Sequence, residues 1–198
     1  MKRLPQLLLM ILLVSAFLSS CGLQSIPQSR NGVEAATAEV TNQYKRRSDL
    51  IPNLVATVKG YAAHEQETLT AVVEARAKAS QITVDPANLN PDTLKKFQES
   101  QGQLSQALGR LMVVAEKYPD LKANENFRDL QAQLEGTENR TTVARGRLIE
   151  AIKVFNDLIT VPPTSWTNAL FYHHEKLPQW SVSDAEKVKV EEAPKVNF

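Results

Sequence analysis

The segment from Leu94 to Tyr118 carries the most regular pattern in this sequence. Apolar side chains recur there at alternating intervals of three and four residues, at Leu94, Phe97, Gln101, Leu104, Leu108, Leu111, Ala115 and Tyr118. Only Gln101 interrupts the apolar stripe. Such spacing is typical of a helix that buries one face against neighbouring helices. Asn90-Pro91-Asp92 just before it predicts the start of this helix, with Asn90 as the cap and Pro91 in the first helical position. The segment therefore predicts a helical bundle.

Two further segments repeat the helical spacing. We predict one long helix from Val33 to about Ser80, kinked at Pro52, because proline cannot donate a hydrogen bond to the carbonyl four residues earlier. An actual break at Pro52 is the alternative. A third long helix is predicted from Asn124 to about Thr160, before the Val161-Pro162-Pro163 stop. Short connections between long helices favour antiparallel neighbours. The fold class is thus all-α, an antiparallel bundle of long helices.

The C-terminal part of the chain has a different composition. It is rich in aromatic residues, which a solvated tail rarely is. We expect a short helix from Ser165 to His173, followed by a charged, extended tail over residues 181–198. Four aromatic residues would then either cap one end of the bundle or line a pocket there: Trp166, Phe171, Tyr172 and Trp180.

The N-terminus has the three parts of a secretory signal peptide. Lys2 and Arg3 precede an apolar run over residues 4–18, and small residues lead to Cys21. Leu18-Ser19-Ser20-Cys21 resembles the lipobox of bacterial lipoproteins. In that class the cysteine sulfur receives a diacylglycerol, and after cleavage the cysteine residue becomes the acylated N-terminus of the mature protein. We predict a signal peptide over residues 1–20, a flexible tether over 21–32 and a helical domain over 33–198. An ordinary cleaved signal or an uncleaved anchor, with Cys21 incidental, is the alternative.

A lipid anchor at Cys21 would attach the chain to a membrane without a spanning segment. Several acyl chains hold a protein firmly, whereas one does not. Cleavage would also remove Lys2 and Arg3, which leaves no basic excess for anionic lipid. By resemblance to lipoprotein sorting, Gly22 after the cysteine favours the outer membrane, facing the periplasm.

Composition argues against nucleic-acid binding and against enzymatic chemistry. The formal charge is only +1, and the chain has one cysteine and three histidines. The zinc-protease spacing fails at His64-Glu65, because Thr68 stands where the second histidine is needed. His173 and His174 are adjacent and point in different directions on a helix. We therefore expect no metal, no cofactor and no nucleic-acid partner, and we do not expect an enzyme.

Polar residues fall near the predicted buried faces. We expect a structural polar cluster that holds the register of the helices, formed by Arg46, Arg47, Asp49, Glu65, Glu135, Glu138, Asn139 and Arg145. Buried charges are costly unless they are paired. A solvated helix face and a ligand or metal site are the alternatives. The basic run 45–47 is either solvated or a contact for an acidic partner or lipid headgroups.

Several ordered stretches resemble one protein family. Tyr44-Lys45-Arg46-Arg47-Ser48-Asp49-Leu50-Ile51-Pro52-Asn53-Leu54-Val55 looks like the signature of the LemA family. The stretches 118–123 and 135–140 and the closing Pro194-Lys195-Val196-Asn197-Phe198 continue the likeness. The resemblance covers about residues 33–198. It implies a membrane-associated, all-α antiparallel bundle with no settled biochemical activity.

Three functions compete at this point. The first is a non-enzymatic envelope lipoprotein that acts as a scaffold or adaptor for an unknown envelope protein. The second is a ligand-binding module that uses the aromatic end of the bundle. The third is an enzyme, which is disfavoured because no catalytic motif is visible. The sequence leaves open whether the helices also form a homo-oligomer.

Overall fold

The structure is a computed structural model that describes the backbone of residues 3–180 and the side chains of Met10 and of residues 22–180. Across that range the chain is helical, with no strand, as the sequence predicts. The helices are α1 (Arg3–Tyr61), α2 (Gln66–Gln81), α3 (Pro91–Ala115), α4 (Pro119–Ala123), α5 (Glu125–Thr160) and α6 (Thr164–Thr167). A π-helical turn (Asn168–Tyr172) follows α6 directly. Among the described residues, no helix combines the length and the apolar character that crossing a bilayer requires.

The four longest helices run antiparallel. Helix α5 packs along α1, and α2 packs against both α1 and α3. Tyr61, where α1 ends, accepts a 3.0 Å hydrogen bond from Asn124, where α5 begins. Farther toward the N-terminus of α1, Arg30 donates to the carbonyl of Ala87, which lies just before α3. The direction therefore alternates from α1 to α2, α3 and α5, as expected of an up-down bundle.

The predicted starts of the second and third long helices are confirmed by their caps. The Asn90 side chain accepts from the backbone N–H of Asp92 at 2.8 Å, and Pro91 takes the first helical position. The Asn124 side chain accepts from the N–H of Phe127 at 3.0 Å. Both caps satisfy donors that the first helical turn leaves without partners.

The prediction of one helix from Val33 to Ser80 is wrong. Helix α1 ends at Tyr61, and the chain reverses through residues 62–65 into α2. Neither proline nor a capping hydrogen bond from Glu65 marks the break. Packing accounts for it, because the reversal lets Leu69 and Val72 bury against Leu54 and Val58.

The prediction of a flexible tether over 21–32 is also wrong. These residues are helical and belong to α1. Ile26 is completely buried and joins a core with Phe155 and Ile159 of α5. Apolar burial of this kind stabilises a fold by about 25 cal/mol per Å², which a free tether would forgo.

Helix α1 continues through both of its prolines, Pro27 and Pro52. Each proline lacks an N–H, so the carbonyl four residues earlier loses its helical donor. Another part of the fold supplies a donor in each case. The Tyr172 hydroxyl donates to the Leu23 carbonyl at 2.7 Å, and Arg76 Nε donates to the Ser48 carbonyl at 2.9 Å. The helix is therefore held together at its prolines by tertiary contacts.

Within residues 22–180, the buried interior contains two apolar cores. The Leu54 core lies toward Tyr61 and includes Ile51, Leu54, Val58, Leu104, Leu111 and Phe127. The Phe155 core lies toward Gly22 and includes Ile26, Val33, Val40, Leu148, Ile152 and Phe155. Between the two cores, α1, α3 and α5 each contribute buried polar residues. We call this set the polar layer: Arg47, Ser48, Ser100, Gln101, Thr137 and Thr141.

Candidate functional site

The residues that follow Cys21 are packed against the C-terminal segment. Gly22 is buried, and a Cβ atom built on it would lie 2.5 Å from Thr167 Oγ1. Such a distance is too short for any side chain, so the close approach of α6 to α1 requires glycine at this position. The predicted lipidation residue therefore directly precedes a tightly packed point of the bundle. The Cys21 side chain itself lies outside the described side chains.

Beyond the π-turn, the chain runs back along the bundle as a segment without regular secondary structure, residues 173–180, which we call the C-terminal strap. Two asparagines hold it by its backbone. The Asn168 side chain bonds both the N–H and the carbonyl of His174, each at 3.0 Å. The Asn156 side chain does the same for Leu177, at 2.8 and 3.0 Å. Each amide thus satisfies two backbone groups that no helix or sheet serves.

The four aromatic residues predicted to share a cap or pocket do not come together. Tyr172 contacts α1 at Leu23, whereas Trp180 stacks on Tyr44 with ring centroids 6.5 Å apart. These two sites on α1 are separated by about 30 Å of helix at 1.5 Å per residue. Trp166 and Phe171 point away from the core and are 69% and 58% exposed. The strap explains the separation, because it carries Trp180 along the bundle and away from the end.

At the far end of the strap, Trp180 completes a cluster of aromatic rings. Tyr44 meets Phe97 edge to face at 5.2 Å, and Phe97 meets Trp180 edge to face at 6.4 Å. Edge-to-face and offset contacts of this kind are favourable beyond the area they bury. This ring cluster lies next to the polar layer and ties α1, α3 and the strap together.

Arg47 is the central residue of the polar layer. Its side chain is only 8% exposed, and it forms a 2.8 Å ion pair with Glu138 of α5. It also donates to the Ser105 hydroxyl of α3 at 3.0 Å. One guanidinium therefore links three helices, and a buried charge of this kind is tolerated because it is paired and hydrogen-bonded.

The other predicted members of the polar cluster lie elsewhere. Exposed positions on the helix surfaces are taken by Arg46, Asp49, Glu135 and Asn139. Glu65 lies near the Tyr61 end and accepts a hydrogen bond from Tyr118 at 3.2 Å. Arg145 is half-buried on α5 and has interactions of its own. The structure thus brings Arg47 and Glu138 together and disperses the remaining six, because the helix faces turn most of those six toward solvent.

Sequence reasoning missed several members of the polar layer and its surroundings. Arg76, which closes the gap at Pro52, and Ser105 carry no distinctive sequence signal. Gln101 was visible as the polar interruption of the α3 stripe, and it lies in the layer. In the part of the chain that the structure describes, Gln101 Oε1 is buried without a hydrogen-bond partner. The layer's threonines bond within their own helix, as Thr141 does to the Thr137 carbonyl at 2.9 Å.

Tyr118 is a titratable group whose surroundings change its acidity. Partial burial raises the pKa of its hydroxyl above 10.0, and the hydrogen bond to Glu65 and the charge of that carboxylate raise it further. The contact joins the loop after α1 to the end of α3 and makes the neutral phenol the favoured form. No group of three or more His, Cys, Asp and Glu side chains within the described residues is arranged to hold a metal ion.

Comparison with known proteins gives a family match and a curated relative. The model of the LemA family matches residues 36–198. The protein named Protein LemA from Metamycoplasma hominis is 28% identical over 171 residues, which covers 83% of this chain and 71% of that protein. The matched region contains the polar layer, the strap and the ring cluster.

Proposed function

The chain belongs to the LemA family, and we propose that it is a non-enzymatic lipoprotein of the cell envelope, fastened to the membrane through an acylated Cys21. In this proposal it serves as a scaffold or adaptor for other envelope proteins. A fatty-acyl modification, such as palmitate, would supply the attachment. The orientation we propose is on the outer membrane, facing the periplasm.

One observation carries the proposal. The lipobox-like Leu18-Ser19-Ser20-Cys21 ends where Gly22 is pressed against Thr167. An acyl group on Cys21 would therefore be joined to the folded bundle without an intervening flexible segment. The acylated end and the rigid body would then move as one unit.

The dimensions of the bundle suit a scaffold. From Gly22 to Tyr61, helix α1 is about 60 Å long at 1.5 Å per residue. Helix α5 packs along it, and the Arg47–Glu138 ion pair joins the two helices. A body of this shape could present helix surfaces at a fixed distance from the lipid. Arg46 of α1 and Asn139 of α5 are exposed on those surfaces.

Photo-crosslinking in cells tests the adaptor role. A photoreactive residue is placed at Arg46, at Asn139, or at the exposed Val73 of α2 or Val113 of α3. We expect one envelope protein to be captured from positions that share a face, and not from the others. The matched control is the same chain with Cys21→Ser, which keeps the surface and loses the acylation site.

The outcomes separate the two parts of the proposal. Capture that depends on Cys21 supports an adaptor at the membrane. If the chain is found in the membrane fraction and no protein is captured from any exposed position, the adaptor role is contradicted and the anchor stands. If Cys21→Ser leaves both membrane association and capture unchanged, the anchor is contradicted.

A further inference from the structure

The bundle end next to Gly22 exposes several large apolar side chains. Trp166 and Leu170 are each 69% exposed, and Phe171 is 58% exposed. Trp166 and Leu170 are four residues apart in a helical stretch, which places them on the same side. Leu23 of α1, 43% exposed, lies at the same end. We call Leu23, Trp166, Leu170 and Phe171 the apolar end patch.

The surroundings of this patch lack charge in the sequence. No Asp, Glu, Lys or Arg occurs between Asp157 and Glu175. Exposed apolar residues elsewhere, such as Val73 and Val113, stand singly on helices that carry charged residues. Isolated exposed apolar residues are ordinary on soluble surfaces, whereas a group of them in an uncharged segment marks an interaction surface.

Two contacts fix the patch beside Cys21. Thr167, between Trp166 and Leu170, lies against Gly22. Tyr172, next to Phe171, donates its hydroxyl to the Leu23 carbonyl at 2.7 Å. The patch is therefore held against Gly22 and Leu23, the two residues that follow the position where the acyl chains would begin.

We propose that the apolar end patch inserts into the lipid leaflet that holds the acyl chains of Cys21. This inference rests on the proposed lipid anchor and adds a second, protein-made contact to it. Tryptophan and phenylalanine suit the boundary between headgroups and hydrocarbon, and an uncharged segment can enter that boundary at low cost. A lipid surface is the occupant that adjacency to Cys21 and the missing charges both favour.

The physical consequence is orientation. Acyl chains alone let the rigid body tilt as a whole relative to the bilayer, whereas a patch on that body that enters the lipid restrains the tilt. Transfer of one large apolar side chain from water to lipid shifts partitioning by about tenfold or more. The bundle would then stand on its Gly22 end, with the Tyr61 end away from the bilayer.

Tryptophan fluorescence tests the insertion directly, since the chain has two tryptophans. Trp180→Phe leaves Trp166, in the patch, as the sole tryptophan and preserves an aromatic ring against Tyr44. Trp166→Phe leaves Trp180, in the ring cluster, as the matched control. Each full-length chain is purified from membranes with its acyl group and placed in phosphatidylethanolamine–phosphatidylglycerol vesicles, with or without lipids brominated on the acyl chains.

We expect brominated lipid to quench Trp166 strongly and insertion to shift its emission to shorter wavelength, while Trp180 is unaffected. Leu170→Glu in the Trp180→Phe chain should reduce the quenching, and Val113→Glu in the same chain should leave it unchanged. Circular dichroism of each variant confirms that the bundle is intact.

Three results would overturn the proposal or assign the failure elsewhere. Equal, weak quenching of Trp166 and Trp180 in an acylated, vesicle-bound chain contradicts the insertion and leaves the anchor intact. A blue-shifted Trp166 that brominated lipid does not quench, in a chain that sediments as a dimer, shows that a second copy covers the patch. If the N-terminal mass shows no acyl group, the proposed anchor fails, and quenching of Trp166 still decides the insertion separately.

Discussion

The two ends of the bundle are closed in different ways. At the Tyr61 end, helices meet through short turns, and the connecting segment 116–125 contains five charged residues, namely Glu116, Lys117, Asp120, Lys122 and Glu125. At the Gly22 end, side-chain amides hold the returning backbone, and the segment 158–174 has no Asp, Glu, Lys or Arg. The Tyr61 end therefore carries charged residues that suit contact with water, and the Gly22 end keeps apolar side chains exposed next to Cys21.

The difference indicates that the C-terminal segment stabilises the half of the bundle toward Gly22. The Leu54 core is built from contacts among the helices and their turns, whereas the Phe155 core also includes Leu177 and Trp180 of the strap. The polar layer stands between them, and Arg47 links α1, α3 and α5 there. Substitutions in each half and in the layer can test this contrast.

Truncation of Phe155 should give the largest effect. Its ring lies 5.6 Å from His174 of the strap and 5.6 Å from the Arg30 guanidinium. We expect Phe155→Ala to lower the free energy of unfolding by about 3–5 kcal/mol and to speed amide exchange at Leu177. Leu54→Ala should cost about 2–5 kcal/mol without selective loosening of the strap. Denaturant unfolding and hydrogen exchange measure both, and equal loosening by the two variants would remove the contrast.

Disruption of the polar layer should come second. Arg47→Ala and Glu138→Ala should each lower the free energy of unfolding by about 1–3 kcal/mol, because the buried guanidinium loses its partner or its links to α3 and α5. Glu135→Ala, one turn earlier on α5 and exposed, should stay within about 0.5 kcal/mol. If neither variant of the pair changes thermal unfolding, the layer does not hold the register.

The Leu23 and Ser48 carbonyls, which lose their helical donors at Pro27 and Pro52, allow a finer comparison of the two halves. Tyr172→Phe should cost about 1 kcal/mol, because it leaves the Leu23 carbonyl without its donor. In a Pro27→Ala chain, the backbone at that position gains an N–H, so the same substitution should cost much less. Arg76→Met, with and without Pro52→Ala, is the matching cycle at Ser48. Equal costs in both backgrounds, measured by denaturant unfolding, would show that these hydroxyl and guanidinium donors do not compensate for the prolines.

The smallest effect should appear at high pH at the Tyr61 end. Since the pKa of Tyr118 is raised in the folded chain, its contribution is present below its ordinary pKa of 10.0 and is lost as pH rises above it. Wild type should therefore lose stability above pH 10 more steeply than Tyr118→Phe. Parallel unfolding midpoints for the two chains across that range would contradict the assignment.

Local signals predicted the caps and the helix class well. Asn90 with Pro91, and Asn124, mark helix starts through chemistry that needs no tertiary contact. The break after Tyr61 carries no such signal, since burial of apolar α2 residues against α1 decides it. The helical state of residues 21–32 was missed for the same reason. Pro27 argues for a break until Tyr172, far along the chain, supplies the missing donor.

In the candidate site, too, features with a local sequence signal could be predicted, and features that depend on tertiary contacts could not. Gln101 could be picked out because it interrupts an apolar stripe, and Arg47 because it falls near a predicted buried face, and the structure places both in the polar layer. The expected aromatic pocket failed because spacing along the chain says nothing of a strap that carries Trp180 to Tyr44. The exposure of Trp166 depends on the same path of the chain.

The mass of the N-terminal peptide tests the lipid anchor most directly. Trypsin cleavage after Arg30 of chain extracted from native membranes should release a peptide that begins at Cys21. We predict that this peptide carries a diacylglycerol on the cysteine sulfur. An unmodified Cys21, still joined to residues 4–20 or removed by cleavage at another position, would contradict the anchor.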